Sequence, residues 1–331
     1  MFATLTTDVE DAMARLALTN RALFVARPAV LVALGLALMM ASVANAQQSF
    51  NTAEEAASAL VSAARTGDRK AILTVLGQDG ADIISSGDAV ADTSARNRAI
   101  EAYDAKHQVV TEGADKAVLI IGSEDWPFPI PLVRKDGSWQ FDTAAGREEI
   151  LYRRIGRNEL DAIQTCLAYV DAQEDYAERG VAGKGVYAQH IVSRPGQKDG
   201  LYWPPQSSGD DSPLGELAAR ATAEGYRVGE QRAPYHGYYY KVLAKQGPNA
   251  SGGALDYIVR GSMIGGFALV AYPAEYMNSG VMTFLVNHEG NVYEKDLGPN
   301  TTQIVAGMTA FNPDGTWRRV SDAAQPNIGA K

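Results

Sequence analysis

The sequence predicts an α+β fold in which amphipathic helices pack on antiparallel sheets. Three observations carry this expectation. The apolar spacing is helical over the first segments and changes to a period of two after residue 106. Asp136-Gly137 lies between two strand patterns, the strongest short-range hairpin signal. A long helical pattern over residues 146–178 then precedes a second group of strand patterns, so helices and strands come in runs.

Each element has its own local cause. Asn51 or Thr52 caps a first helix, with Glu54 and Glu55 in the turn where the helix dipole favours anions. Ala56, Leu60, Val61 and Ala64 follow at helical spacing until Gly67. A short helix runs from Asp68 through Ile72, Leu73 and Leu76 to Gly77, and a third lies around Asp92–Lys106. His107–Thr111, Lys116–Ile121 and Ile130–Arg134 read as strands, and Trp139–Asp142 returns after the Asp-Gly turn. Residues 47–145 thus make a first α+β domain.

The helix over 146–178 opens a second domain, residues 146–331. Leu160, Ile163, Leu167 and Val170 mark its expected buried face, and Gly180 ends it. A variable region with Trp203-Pro204-Pro205 and a short helix, Pro213–Glu224, leads to strands at Tyr238–Ala244, Phe267–Tyr272, Met282–Val286 and Asn291–Lys295. Asn312-Pro313-Asp314-Gly315 reads as a last hairpin turn, between Phe311 and Trp317.

Residues 1–46 read as a signal peptide. Val30–Met40 is apolar, Ala44-Asn45-Ala46 has the small residues of a cleavage box, and Arg15, Arg21 and Arg27 supply the positive flank. The apolar stretch of about 15 residues is short of the ~20 that span a bilayer. The expectation is cleavage after Ala46, a periplasmic location and no stable membrane span after processing. Removing three basic and three acidic residues with this segment leaves 27 Lys plus Arg against 36 Asp plus Glu, so the net charge stays at −9. An acidic chain without a basic stripe argues against nucleic acid as a partner. Cys166 is the one cysteine, which excludes an internal disulfide and a cysteine zinc site.

Two resemblances follow from particular segments. Ala168–Ala177 looks like the end of the long helix of type IV pilins and pseudopilins, and Phe284–Tyr293 resembles the closing hairpin of their head domain. This implies a pilin-like long helix packed on an antiparallel sheet. The membrane-spanning first half of the pilin helix has no counterpart here. With Gly185-Val186-Tyr187-Ala188, Gly200-Leu201-Tyr202-Trp203-Pro204 and Tyr235-His236-Gly237-Tyr238-Tyr239-Tyr240, the chain from Gln47 on also resembles an exported bacterial family of unknown function, domain of unknown function 2950. The first domain is similar in element order to the cone-shaped fold of cystatin and nuclear-transport-factor proteins, an analogy that says little about function.

Catalytic motifs are absent. There is no Gly-x-Ser-x-Gly elbow, no phosphate loop and no cofactor or nucleotide signature. His107, His190, His236 and His288 share no helical metal-ligand spacing, although the last three could meet in space. Tyr202, Trp203, Tyr238, Tyr239 and Tyr240 are dense enough to form a contact surface for an envelope protein or a glycan. The expected function is therefore that of an exported binding or structural protein without enzymatic activity. The alternative is an extracytoplasmic hydrolase of peptidoglycan or polysaccharide working through paired carboxylates.

Overall fold

The structure is a computed structural model that describes residues 47–229 and 233–320. The expected signal segment and its cleavage site lie outside the described residues. Helix α1 (Ala53–Thr66) begins where Thr52 Oγ1 accepts from the Glu55 N–H at 3.1 Å, and it ends at Gly67 with φ 68°. Helix α2 (Arg69–Leu76) follows, capped by Asp68. Helix α3 (Ala89–Ala105) is capped by Asp88 and has no fully buried residue. Only its last turn, through Ala102 and Tyr103, packs on the buried cluster of Ala57, Leu119 and Ile121.

Five strands complete the first half: β1 (His107–Thr111), β2 (Lys116–Ile121), β3 (Trp126–Pro127), β4 (Leu132–Lys135) and β5 (Ser138–Phe141). The antiparallel order is β1-β2-β4-β5, with β3 also on β2. Asp136 (φ 50°) and Gly137 (φ 82°) both take the positive φ that a two-residue hairpin turn needs. Leu60, Ile72, Val75 and Leu76 from α1 and α2 pack on Ile130, Leu132, Trp139 and Phe141 of the sheet region.

Helix α4 (Thr143–Arg179) is 37 residues, about 55 Å at 1.5 Å per residue. Its first turns belong to the first core. Ile150 packs there, and a Cβ on Gly146 would stand 2.7 Å from Ile130 Cα, so only glycine allows this approach. Farther along, Ala162, Ile163, Cys166, Tyr169, Val170, Gln173 and Tyr176 face the second core. Leu160 corrects the expected apolar face, since it is 48 % exposed. At its level polar groups take the inner position. Asn158 Nδ2 donates to Ser279 O at 2.9 Å, and Glu159 Oε1 accepts from the Val281 and Met282 N–H groups at 3.0 Å. Leu167 is only partly buried.

Beyond α4 come β6 (His190–Val192) and β7 (Gly200–Tyr202), paired in parallel, then α5 (Gly215–Glu224). Strands β8 (Tyr238–Leu243), β9 (Lys245–Gln246), β10 (Leu255–Asp256), β11 (Ile258–Val259), β12 (Ser262–Met263), β13 (Ala268–Pro273), β14 (Met282–Asn287) and β15 (Tyr293–Asp296) follow. The chain closes with α6 (Thr301–Gly307), β16 (Ala310–Phe311) and β17 (Arg318–Arg319). The principal sheet is antiparallel in the order β17-β15-β14-β13-β8. Residues 312–315 do not close a hairpin. β16 pairs in parallel with β9 while β17 pairs with β15, so this turn passes from one sheet to another.

The fold is thus α+β, with two hydrophobic cores bridged by α4 and by polar joints. Arg154 donates to the carbonyls of Asp82 (2.8 Å) and Ile83 and to Asn278 Oδ1, while Asn278 Nδ2 donates to Ser85 O at 2.9 Å. Burial pulls the Arg154 pKa below its usual value despite the nearby charges of Asp92 and Asp82. The described residues form one compact unit. No helix among the described residues is long and apolar enough to cross a membrane.

Candidate functional site

The five aromatics singled out in the sequence divide between core and cavity. Trp203 is 5 % exposed, its ring edge-on to Tyr176 at 6.4 Å and its Nε1 donating to Asp210 Oδ1 at 3.3 Å. Tyr238 is fully buried against Phe284, and its hydroxyl donates to Met282 O at 2.9 Å. These two are packing residues, which corrects the idea of a single exposed face. Residues 238 and 239 point to opposite sides of β8, and Tyr240, on the Tyr238 side, reaches the cavity because β8 is the edge strand of its sheet. Tyr202, Tyr239 and Tyr240 are half-buried and line a cavity of about 460 Å³ together with Tyr226, Tyr235 and Tyr272. Tyr239 and Tyr272, opposite each other on β8 and β13, hold their rings 5.5 Å apart. Burial pushes the Tyr235 hydroxyl up to about 12, so it stays a neutral donor.

A second cavity, of about 480 Å³, lies beneath α3. Its floor and walls are aliphatic, with Leu60, Ile72, Ile83, Leu119 and Ile130 among them. One end is polar. There His236 bonds Asp161 Oδ2 through Nδ1 and Glu224 Oε2 through Nε2, both at 2.9 Å, and Tyr226 stacks on the ring at 5.7 Å. His236 has φ 50°, a left-handed conformation that turns its ring between the two carboxylates. Beside it Asp88 gathers four donors. Oδ1 accepts from the Val90 and Ala91 N–H groups at 3.2 and 3.0 Å, and Oδ2 accepts from Tyr226 OH and the Gly237 N–H at 2.9 Å.

Burial lowers the His236 pKa, but the hydrogen bonds and charges of Asp161 and Glu224 outweigh it and leave the imidazole above its ordinary value. A raised pKa stabilises the fold fully below the unfolded value of about 6.5, and that contribution is lost as pH climbs through the folded value. The stability gap between the protein and His236→Asn, which tolerates the same backbone, should be larger at about pH 6 than at about pH 9. Denaturant unfolding at both pH values checks this. A gap that widens toward alkaline pH would show that the imidazole is neutral in the folded protein.

The arrangement limits the chemistry. Asp161 and Glu224 each hold an imidazole nitrogen, so neither offers the free acid that a paired-carboxylate hydrolase needs. His190 pairs with Asp199 at 3.6 Å and His288 lies against Tyr257 and Phe267, so the three histidines of the second half occupy separate surroundings. Among the described residues no three His, Cys, Asp or Glu side chains are placed to hold a metal ion. Cys166 is buried, which pushes its thiol up to about 12 and leaves it unreactive. Asp88, Asp161 and Glu224 went unnoticed in the sequence. Asp88 lies 138 residues from Tyr226, and its role as the cap of α3 emerges only with the helix start at Ala89.

Fold and site together describe an α+β protein with two open cavities, one lined by tyrosines among other residues and one mainly by aliphatic side chains. Residues 47–320 match the family described as "Protein of unknown function (DUF2950)". The chain belongs to that family. No curated protein and no solved structure matches it.

Proposed function

We propose that this chain is an exported, non-enzymatic binding protein of the cell envelope that contacts a glycan through the tyrosine-lined cavity. The convergence of Tyr202, Tyr235, Tyr239, Tyr240 and Tyr272 on one cavity carries the reading. Each ring offers a flat apolar face with a polar tip, the combination that suits a sugar ring with its hydroxyl rim. Export rests on the apolar run Val30–Met40 and the Ala44-Asn45-Ala46 box. The long α4 lying on an antiparallel sheet supports a pilin-like second half, after a cone-like first half.

Sedimentation with purified peptidoglycan sacculi tests the function. The protein should pellet with sacculi and release no soluble reducing ends, and Tyr239→Ala should weaken pelleting severalfold while lowering the melting temperature by no more than about 4 °C. Protein-dependent release of reducing ends would establish the hydrolase instead, and absence of pelleting would remove the glycan reading. The N-terminus of the exported species should read Gln-Gln-Ser-Phe. Intact protein in carbonate-washed inner membranes would overturn export with cleavage.

A further inference from the structure

We propose that the cavity beneath α3 binds a single-chain amphiphilic anion, its hydrocarbon tail under the helix and its head beside Arg157. This site is separate from the tyrosine-lined one and does not depend on the glycan reading. The lining selects the tail. Leu60, Ile72, Ile83, Ile100, Leu119 and Ile130 give aliphatic walls that suit a flexible hydrocarbon better than a polar ring. The roof leaves room for it. Ala91, Ala95 and Ala99 recur every fourth residue on α3 and all line the cavity, so the helix meets its floor through methyl groups. A cavity of about 150 Å³ accommodates the six carbons of benzene, so about 480 Å³ accommodates about 16 to 20 non-hydrogen atoms. That is one alkyl chain of palmitate length, with any larger head lying outside beside the exposed Arg157.

The uncommitted charge selects the head. Among the lining residues, Asp161 and Glu224 are engaged with His236, and Asp92 accepts from the Ser86 N–H and Oγ. Arg154 is engaged with two carbonyls and Asn278, and Arg98 donates to Ser94 Oγ at 2.6 Å. Arg96 and Arg157 line the same cavity and make no ion pair with another described residue; of the two, Arg157 is exposed and stands one turn before Asp161, at the polar end. It also adds positive potential at Arg154. A carboxylate or phosphate head would give this guanidinium the bidentate partner it lacks.

A fatty carboxylate and a lysophospholipid share this chemistry, and calorimetry on the delipidated full chain distinguishes them. Palmitate, lysophosphatidylglycerol and the neutral 1-hexadecanol are titrated below their aggregation concentrations. At least one anion should saturate at one per chain, with hexadecanol about tenfold weaker, as expected for the loss of one charge-assisted contact. The tighter anion identifies the source. Arg157→Gln should weaken the anions about tenfold, leave hexadecanol unchanged and keep the melting temperature of the unliganded protein. Ala99→Trp, which fills the space, should abolish binding of all three. If that variant fails to fold, Arg157→Gln decides alone. Lack of saturable binding by either anion, equal affinity in Arg157→Gln, or undiminished binding by a folded Ala99→Trp would overturn the proposal.

Discussion

Replacing Asp88 by alanine should destabilise the protein by about 3–5 kcal/mol, several times the cost of removing an ordinary helix cap. The side chain is buried, and its two oxygens satisfy four donors from three separate segments. Loss of the cap at α3 alone costs about 1 kcal/mol. The Tyr226 hydroxyl and the Gly237 N–H would also be left without an acceptor, at about 1–3 kcal/mol each where they stay buried. Asp88→Asn should retain part of the stability, because an amide has one acceptor oxygen and must turn its Nδ2 toward one pair of donors. Asp68→Ala is the control. Asp68 caps α2 through the Lys70 N–H at 2.9 Å from an exposed position, so its loss should cost about 1 kcal/mol. Denaturant midpoints at unchanged m-value measure all three. Similar losses for Asp88→Ala and Asp68→Ala would mean that Asp88 is only a cap and does not join the two halves.

That contrast shows which parts of the molecule are legible along the chain. Caps and turns depend on neighbours within a few residues, so Thr52, Gly67 and Asp136-Gly137 mark their elements from sequence alone, whereas the third helix starts at Ala89, three residues before the Asp92 that the spacing suggests. Strand and helix periods reflect one-sided burial, so most elements fall where the pattern puts them. The failures lie where tertiary contacts override the pattern. Leu160 continues the apolar spacing but turns outward because Asn158 and Glu159 bind the backbone at residues 279–282. The Asn312–Gly315 segment has the composition of a hairpin turn, yet its two flanking strands pair with different partners. Helix α6 is only seven residues and lacks a side-chain cap, so it leaves little pattern to read. The two cavities are further from the sequence still. Their walls come from residues tens to well over a hundred positions apart, and the pairing of His236 with Asp161 across 75 residues has no local signature.

The tyrosine run on β8 places this distinction in adjacent residues, and substitution there should separate a core ring from a cavity ring. Tyr238→Ala should cost about 3–5 kcal/mol, the range for removing a large buried side chain. The ring is fully buried beside Phe284, and a Cβ on Gly280 would come within 2.1 Å of its hydroxyl, so the neighbouring backbone is fitted around it. Tyr238→Phe keeps the ring and loses the bond to Met282 O, which should cost about 0.5–1.5 kcal/mol. Gly280→Ala should be destabilising by about 1–3 kcal/mol, because the added methyl group must displace the Tyr238 hydroxyl. Tyr239→Ala removes a ring that is only half-buried against Tyr272 and the cavity, so about 1 kcal/mol or less is expected. Thermal and denaturant unfolding of the four variants tests the assignment. A large loss for Tyr239→Ala with a small one for Tyr238→Ala would invert the two faces of β8, and the tyrosine-lined cavity would then be part of the core.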